Sequence, residues 1–229
     1  MGSLAVALTG HELGEFFRQK GKVFTFRAGQ VVFMAGEESN RVFFILRGRV
    51  KIYRLTPSGS SVTVSIRHPG EIFGLAEVLG GSERVCFAEA LEELEVAGLK
   101  NKDFETMLLD NPVFAGTIAI ILAKRLREAE TIIYEMVCYQ APSRLAHLLL
   151  KLAGCCGQAE PNPAVSQLKS QRIKLGIRLS HREIAEMIGS SRQTVTSILN
   201  AMVREKAIDM RYKEIIVLDR KKLERWLVV

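Results

Sequence analysis

The chain reads as an α+β protein, with a small all-β barrel or sandwich, one long helix, and a C-terminal helix-turn-helix followed by a β wing. Three observations predict that order. Short alternating or β-branched runs fill the first half, residues 112–139 hold a helical pattern, and residues 180–208 hold two amphipathic helical patterns around Gly189-Ser190-Ser191. The expected divisions are a barrel over 1–110, a long helix over 111–139, and a helix-turn-helix domain over 140–229.

The strand signals are Val31–Met34, Val42–Leu46, Val50–Leu55, Val62–Ile66 and Glu95–Leu99. Turn signals separate them at Ala35-Gly36-Glu37, Arg47-Gly48, Pro57-Ser58-Gly59, Pro69-Gly70 and Gly80-Gly81. That spacing suits a barrel or sandwich built from hairpins. A metal-dependent enzyme on such a barrel needs several histidines and a carboxylate converging inside, and the strand region holds only His68. No catalytic constellation and no metal site are expected.

Asn111-Pro112 opens the long helix, a favourable cap and first-turn pair. Ile118, Leu122, Arg125, Ala129, Ile132, Met136 and Tyr139 follow a 4-3 spacing, a coiled-coil seam with one charged interruption. A helix lying on its own barrel gives a similar pattern, and both can hold on different faces. Gln140-Ala141-Pro142 then breaks the helix and marks a hinge.

In the first helix of the C-terminal pair Ile184, Ala185 and Ile188 form the apolar face; in the second, Val195, Ile198, Leu199 and Met202 do. Ser180 with Glu183 three residues on is a capping box, and Gly189 supplies the permissive turn residue. Ile208–Arg211 and Ile215–Leu218 read as two wing strands around Tyr212-Lys213-Glu214. Charge separates a DNA reader from a hairpin used only for packing. Residues 166–229 carry 14 Lys or Arg against 7 Asp or Glu, whereas residues 1–165 carry 18 of each. The chain's net charge of +7 therefore sits with the helix-turn-helix, where phosphate neutralisation requires it.

No apolar run approaches the roughly 18 residues that span a bilayer, and the first residues lack a secretory pattern, so a cytoplasmic protein without membrane contact is expected. The four cysteines, Cys86, Cys138, Cys155 and Cys156, form no zinc spacing. The adjacent pair Cys155-Cys156 is placed just after a helix, either as tolerated surface thiols or in a redox role.

Barrel, long helix and winged helix-turn-helix in this order resemble the cyclic-AMP receptor protein and fumarate-nitrate regulator family of bacterial transcription factors. The resemblance spans nearly the whole chain. It rests on the turn Glu37–Phe44, the segment PGEIFGLAEVLGGSER over Pro69–Arg84, the helix around Lys124–Glu130, and SSRQTVTSIL over Ser190–Leu199. It implies a cyclic-nucleotide-binding-like jelly roll, that is, a double-stranded β-helix, and a homodimer paired through the long helix. It also implies a palindromic double-stranded DNA partner and a small effector held between barrel and long helix, and it leaves open a contact with RNA polymerase. No permanent cofactor is expected.

Departures from the family narrow the effector. Cyclic-AMP binders carry a Glu after the Gly of their FGE motif, an Arg-Ser pair, and Thr-Ser on the long helix. Here those positions read Leu75, Arg84-Val85 and Ala129-Glu130, so only the Arg survives. The lost groups would leave nucleotide polar atoms unpaired at roughly 1–3 kcal/mol each, which disfavours cyclic AMP. The branch that responds to 2-oxoglutarate is a closer match. By that resemblance Phe73-Gly74-Leu75-Ala76, Arg84, Arg125 and Glu130 would surround a dicarboxylate or another small anionic acid. Arg125 could instead pair with Glu128 or Glu130, in an effector-independent or redox-responsive regulator of the same family.

For DNA, the resemblance puts base contacts on Arg192, Gln193, Thr196 and Ser197, and phosphate contacts on Ser180, His181, Arg182, Ser191 and Thr194. Arg192 can fork onto guanine and Gln193 can pair with adenine. Gln193 could alternatively close a capping box with Ser190. A rival of another class is a sensor module whose C-terminal domain regulates a partner protein, and the basic excess favours DNA.

Overall fold

The computed structural model describes residues 7–160, 172–211 and 214–228. By contacts the chain forms two compact units, residues 1–128 and 129–229. The long helix runs through the division.

In the first unit the elements are α1 (Gly10–Lys20), β1 (Lys22–Phe26), β2 (Val31–Phe33), β3 (Arg41–Arg47), β4 (Val50–Leu55) and β5 (Ser61–Arg67). They continue as β6 (Ile72–Phe73), α2 (Ala76–Gly80), β7 (Phe87–Ala90), β8 (Leu94–Lys100), α3 (Asn101–Asp110) and α4 (Pro112–Cys138). Two antiparallel sheets, ordered β1-β8-β3-β6 and β2-β7-β4-β5, face each other. Phe33, Phe43, Ile45, Val50, Phe73, Leu94 and Val96 fill the core between them. Phe33, Phe43 and Phe73 stack in series, with Phe43 and Phe73 centroids 5.1 Å apart. All five expected strands form. The sequence reading missed β1, β6 and β7, and the helices α1, α2 and α3.

A second core sits on the outer face of the first sheet, where Leu13 and Phe17 of α1, Phe104 of α3, and Phe114 and Ile118 of α4 cover Val42, Phe44, Ala97 and Leu99. A Thr9–Glu12 capping box starts α1, and the Asn111 carboxamide oxygen accepts the Phe114 N–H at the start of α4. The base of α4 thus lies on the barrel.

The second unit continues with α5 (Ala141–Cys156), β9 (Gly157–Glu160), β10 (Arg172–Leu175), α6 (His181–Ile188) and α7 (Arg192–Arg204). It closes with β11 (Ile208–Arg211), β12 (Glu214–Val217), α8 (Arg220–Glu224) and a 3-10 turn over Arg225–Val228. The sheet order β11-β12-β10-β9 makes the wing part of a four-stranded sheet. The first wing strand falls where the sequence puts it, and the second runs one residue earlier than expected, over Glu214–Val217, so that Glu214 belongs to the strand and not to the turn; Tyr212 and Lys213 lie outside the described residues. Cys155 and Cys156 are corrected from a loop after a helix to the last turn of α5 itself. Among the described residues no single helix is long and apolar enough to cross a membrane.

Candidate functional site

The helix-turn-helix is fixed from its termini inward. The Ser180 hydroxyl accepts the Glu183 N–H and the Glu183 carboxylate accepts the Ser180 N–H at 2.6 Å, the expected reciprocal cap. Gly189 ends α6 in the left-handed region at φ 60°, where a Cβ is strained and would also meet Met136 at 3.3 Å. Ser191, not Ser190, caps α7, and its hydroxyl accepts the Thr194 N–H at 3.0 Å. With that cap supplied by Ser191, the Gln193–Ser190 alternative is not the one α7 uses.

Val195, Ile198, Leu199 and Met202 of α7 are buried together with Ile184, Ala185 and Ile188 of α6. Their burial leaves Arg192, Gln193 and Ser197 exposed on the opposite stripe. Asn200, one turn further on, extends that stripe. The sequence reading did not name it, although i+7 from Gln193 is the helical repeat that would have found it. Thr196 behaves differently. Its hydroxyl donates to the Arg192 carbonyl at 2.8 Å and lies 2.8 Å from His181 Nδ1. With the hydroxyl hydrogen committed, His181 Nδ1–H is the donor, so the pair ties α6 to α7. Arg182 is exposed and paired with Glu186 at 3.1 Å.

Arg144 of α5 joins the hinge to the reading motif. Its Nη1 donates to the Tyr139 carbonyl at 2.7 Å, just past the end of α4, and its Nε donates to the Ile188 carbonyl at 2.9 Å, at the end of α6. One guanidinium thus serves carbonyls that helix ends leave without partners. Tyr139 also stacks on His147, with centroids 5.1 Å apart.

In the barrel, Arg84 is 3 % exposed. Its Nη1 donates to the Gly74 carbonyl at 2.8 Å and lies 3.4 Å from the Glu77 carboxylate, while its Nη2 donates to the Arg41 carbonyl. The guanidinium also lies 4.3 Å over the Phe33 ring. Burial lowers its pKa from the usual value, opposed by Glu77. Gly74, at φ 68°, lets this approach happen, because a Cβ there would meet Arg84 Nη1 at 2.8 Å. Phe73 and Leu75 are buried, Ala76 and Val85 are exposed. A cleft of about 240 Å³ opens beside Arg84, lined by Phe24, Phe33, Phe43, Arg41, Glu37 and Asn40 among others.

Arg125 of α4 donates to the Ile72 carbonyl. Burial pushes it down to about 10, and nearby Arg67 adds repulsion while Glu71 and Glu128 oppose it, so it stays protonated at neutral pH. Arg67 pairs with Glu71 at 3.3 Å. This pair sets one like and one opposite charge beside Arg125, and neither residue was named in the sequence reading. Glu130 is exposed and belongs to the second unit.

The seam along α4 needs correction at two positions. Ile118 is in the barrel core and Arg125 faces Ile72, so neither is open to a second helix. Phe114, Ile118, Ile121 and Arg125 are the barrel stripe. The exposed apolar positions run one register over, at Leu122, Leu126, Ala129, Ile133 and Met136, a 4-3 spacing without a charge. Leu126 and Ile133 are 62 % and 64 % exposed. Ile132 is exposed beside them, and Tyr139 is half-buried.

Both halves of this arrangement have counterparts among known proteins. Residues 23–111 match the cyclic nucleotide-binding domain, and residues 143–226 match the Crp-like helix-turn-helix domain. The chain is 31% identical over 195 residues to the global nitrogen regulator of Nostoc sp., covering 84% of this chain and 83% of that protein. It is 29% identical over 182 residues to the cyclic AMP receptor protein of Thermus thermophilus, covering 79% and 76% respectively. Among solved structures, a CRP/FNR-family transcriptional regulator, also from Thermus thermophilus, superposes with a TM-score of 0.71 at 26% identity, over 91% of this chain and 99% of that one.

Proposed function

The chain belongs to the cyclic-AMP receptor protein and fumarate-nitrate regulator family of DNA-binding transcription regulators, and on that premise we propose that it reads a palindromic operator as a homodimer under control of a small anionic effector. The observation that carries the reading is the exposed stripe Arg192, Gln193, Ser197 and Asn200 on a helix whose opposite face is buried. Arg192 forks onto guanine and Gln193 pairs with adenine, while Thr196 holds the helix rather than a base. Ser180, Ser191, Thr194, His181 and Arg182 position the motif on phosphates.

Pairing occurs through Leu122, Leu126, Ala129, Ile133 and Met136, an apolar seam long enough to exclude water along several turns. Two-fold pairing places two reading helices on successive major grooves. Leu126→Glu tests it, with monomers by sedimentation and loss of palindrome binding as the expected result; a dimeric variant contradicts the seam.

For the effector, Arg125 with the amides of Phe73–Ala76 is the anion-binding element, and 2-oxoglutarate is the candidate ligand. Arg84 and Val85 flank it. Arg84 already has acceptors on Gly74, Arg41 and Glu77, so a carboxylate gains it only by displacing those contacts, which couples binding to movement of residues 74–77. The test is operator binding with and without millimolar 2-oxoglutarate or micromolar cyclic AMP. A response to 2-oxoglutarate that Arg125→Ala abolishes supports the reading. Indifference to both ligands sinks the dicarboxylate assignment and leaves the DNA-binding regulator standing.

A further inference from the structure

We propose that Cys155 and Cys156 form a chelating dithiol site for a trivalent, thiophilic metalloid, such as an arsenite-type or organoarsenical compound. The site is independent of the effector region. Their sulfurs lie 3.4 Å apart at the end of α5, Cys155 is exposed and Cys156 half-buried. Both thiols direct their hydrogens to one acceptor, the Leu152 carbonyl, at 3.7 and 3.1 Å. Both sulfurs therefore lie within reach of one carbonyl, and their 3.4 Å separation is within the span of a single bridging atom.

Geometry separates chelation from disulfide formation. A disulfide requires a bond of about 2.05 Å and Cα atoms roughly 4.4–6.8 Å apart, whereas neighbouring residues on a trans peptide stand about 3.8 Å apart. Closing that bond would force the 155–156 peptide out of its helical conformation. It would also disturb the Cys156 carbonyl, which accepts the Gly176 N–H at 2.9 Å. A bridging atom needs neither change, because it sits between sulfurs that are already in contact.

The ligand class follows from the number of donors. Structural zinc takes four protein ligands, and no cluster of three or more His, Cys, Asp or Glu that could hold a metal occurs among the described residues. A trivalent arsenoxide, R–As=O, is satisfied by two. Each sulfur forms one As–S bond, both thiol hydrogens leave with the arsenoxide oxygen as water, arsenic stays trivalent, and no oxidant is required.

The test is titration of the reduced full-length protein with phenylarsine oxide, followed by counting of residual thiols after unfolding. One equivalent is expected to remove two of the four thiols. Cys155→Ser and Cys156→Ser are each expected to keep their three remaining thiols, while Cys86→Ser and Cys138→Ser still lose two. Retention of four thiols by the parent protein, or loss of two in Cys155→Ser, would overturn the proposal. Circular dichroism of each serine variant verifies folding, and mass spectrometry of the peptide spanning both cysteines locates the adduct directly.

Discussion

Arg192 at the start of α7 and Arg84 in the barrel are the same side chain in opposite settings. Arg192 stands in solvent on a helix fixed from beneath by Val195, Ile198 and Leu199, with the capping done by Ser191. Arg84 is sealed in the barrel and spends its donors on Gly74, Arg41 and Glu77. An arginine is free to recognise a ligand only where other residues carry the local structure. Where the guanidinium is itself the support, a ligand must compete with the fold.

The largest effect that would break this contrast is at Arg84. Arg84→Ala strands a nearly buried Glu77 carboxylate and two carbonyls, and removing one partner of such a pair costs about 3–5 kcal/mol. Urea unfolding is expected to show that loss; a change under about 1 kcal/mol, the size of an exposed pair, would mean the guanidinium is not a structural pin. Arg192→Ala is the converse. It is expected to leave the urea midpoint unchanged while weakening the operator complex by about 1–3 kcal/mol, with non-specific binding retained.

A smaller effect sharpens the contrast within the reading motif. Thr196→Val removes the His181 tether and is expected to cost about 1 kcal/mol of stability, with base preference unaltered; a changed preference would restore Thr196 to the reading set. In the barrel, burial holds His68 below its ordinary value of 6.5, against the pull of Glu71. The unfolded chain then binds the proton more readily, so stability rises with pH between the folded value and about 6.5 and falls on acidification through that window. His68→Gln is expected to flatten the slope.

Sequence made the reading motif legible because its signals are local. The Ser180–Glu183 cap, the Gly189 turn and the apolar period of α7 lie within a few residues of one another, and all hold. The long-helix seam was less legible for a physical reason. A barrel-facing stripe at Phe114, Ile118, Ile121 and Arg125 and an outward stripe at Leu122, Leu126, Ala129, Ile133 and Met136 share one spacing, offset by a single residue. Periodicity alone could not tell which stripe meets which surface. The missed strands β6 and β7 are two and four residues long, too short for alternation to show. Helix α3 was hidden because its burial rests mainly on one residue, Phe104.

The most direct measurement is selection of bound duplexes from a random pool by the parent protein and by Arg192→Ala, in parallel at one salt concentration. The parent protein is expected to enrich a palindrome with half-sites about one helical turn apart, and the variant to enrich, more weakly, sites that have lost the base preference where Arg192 reaches. A variant that enriches the same palindrome would contradict the assignment of α7 as the reading helix.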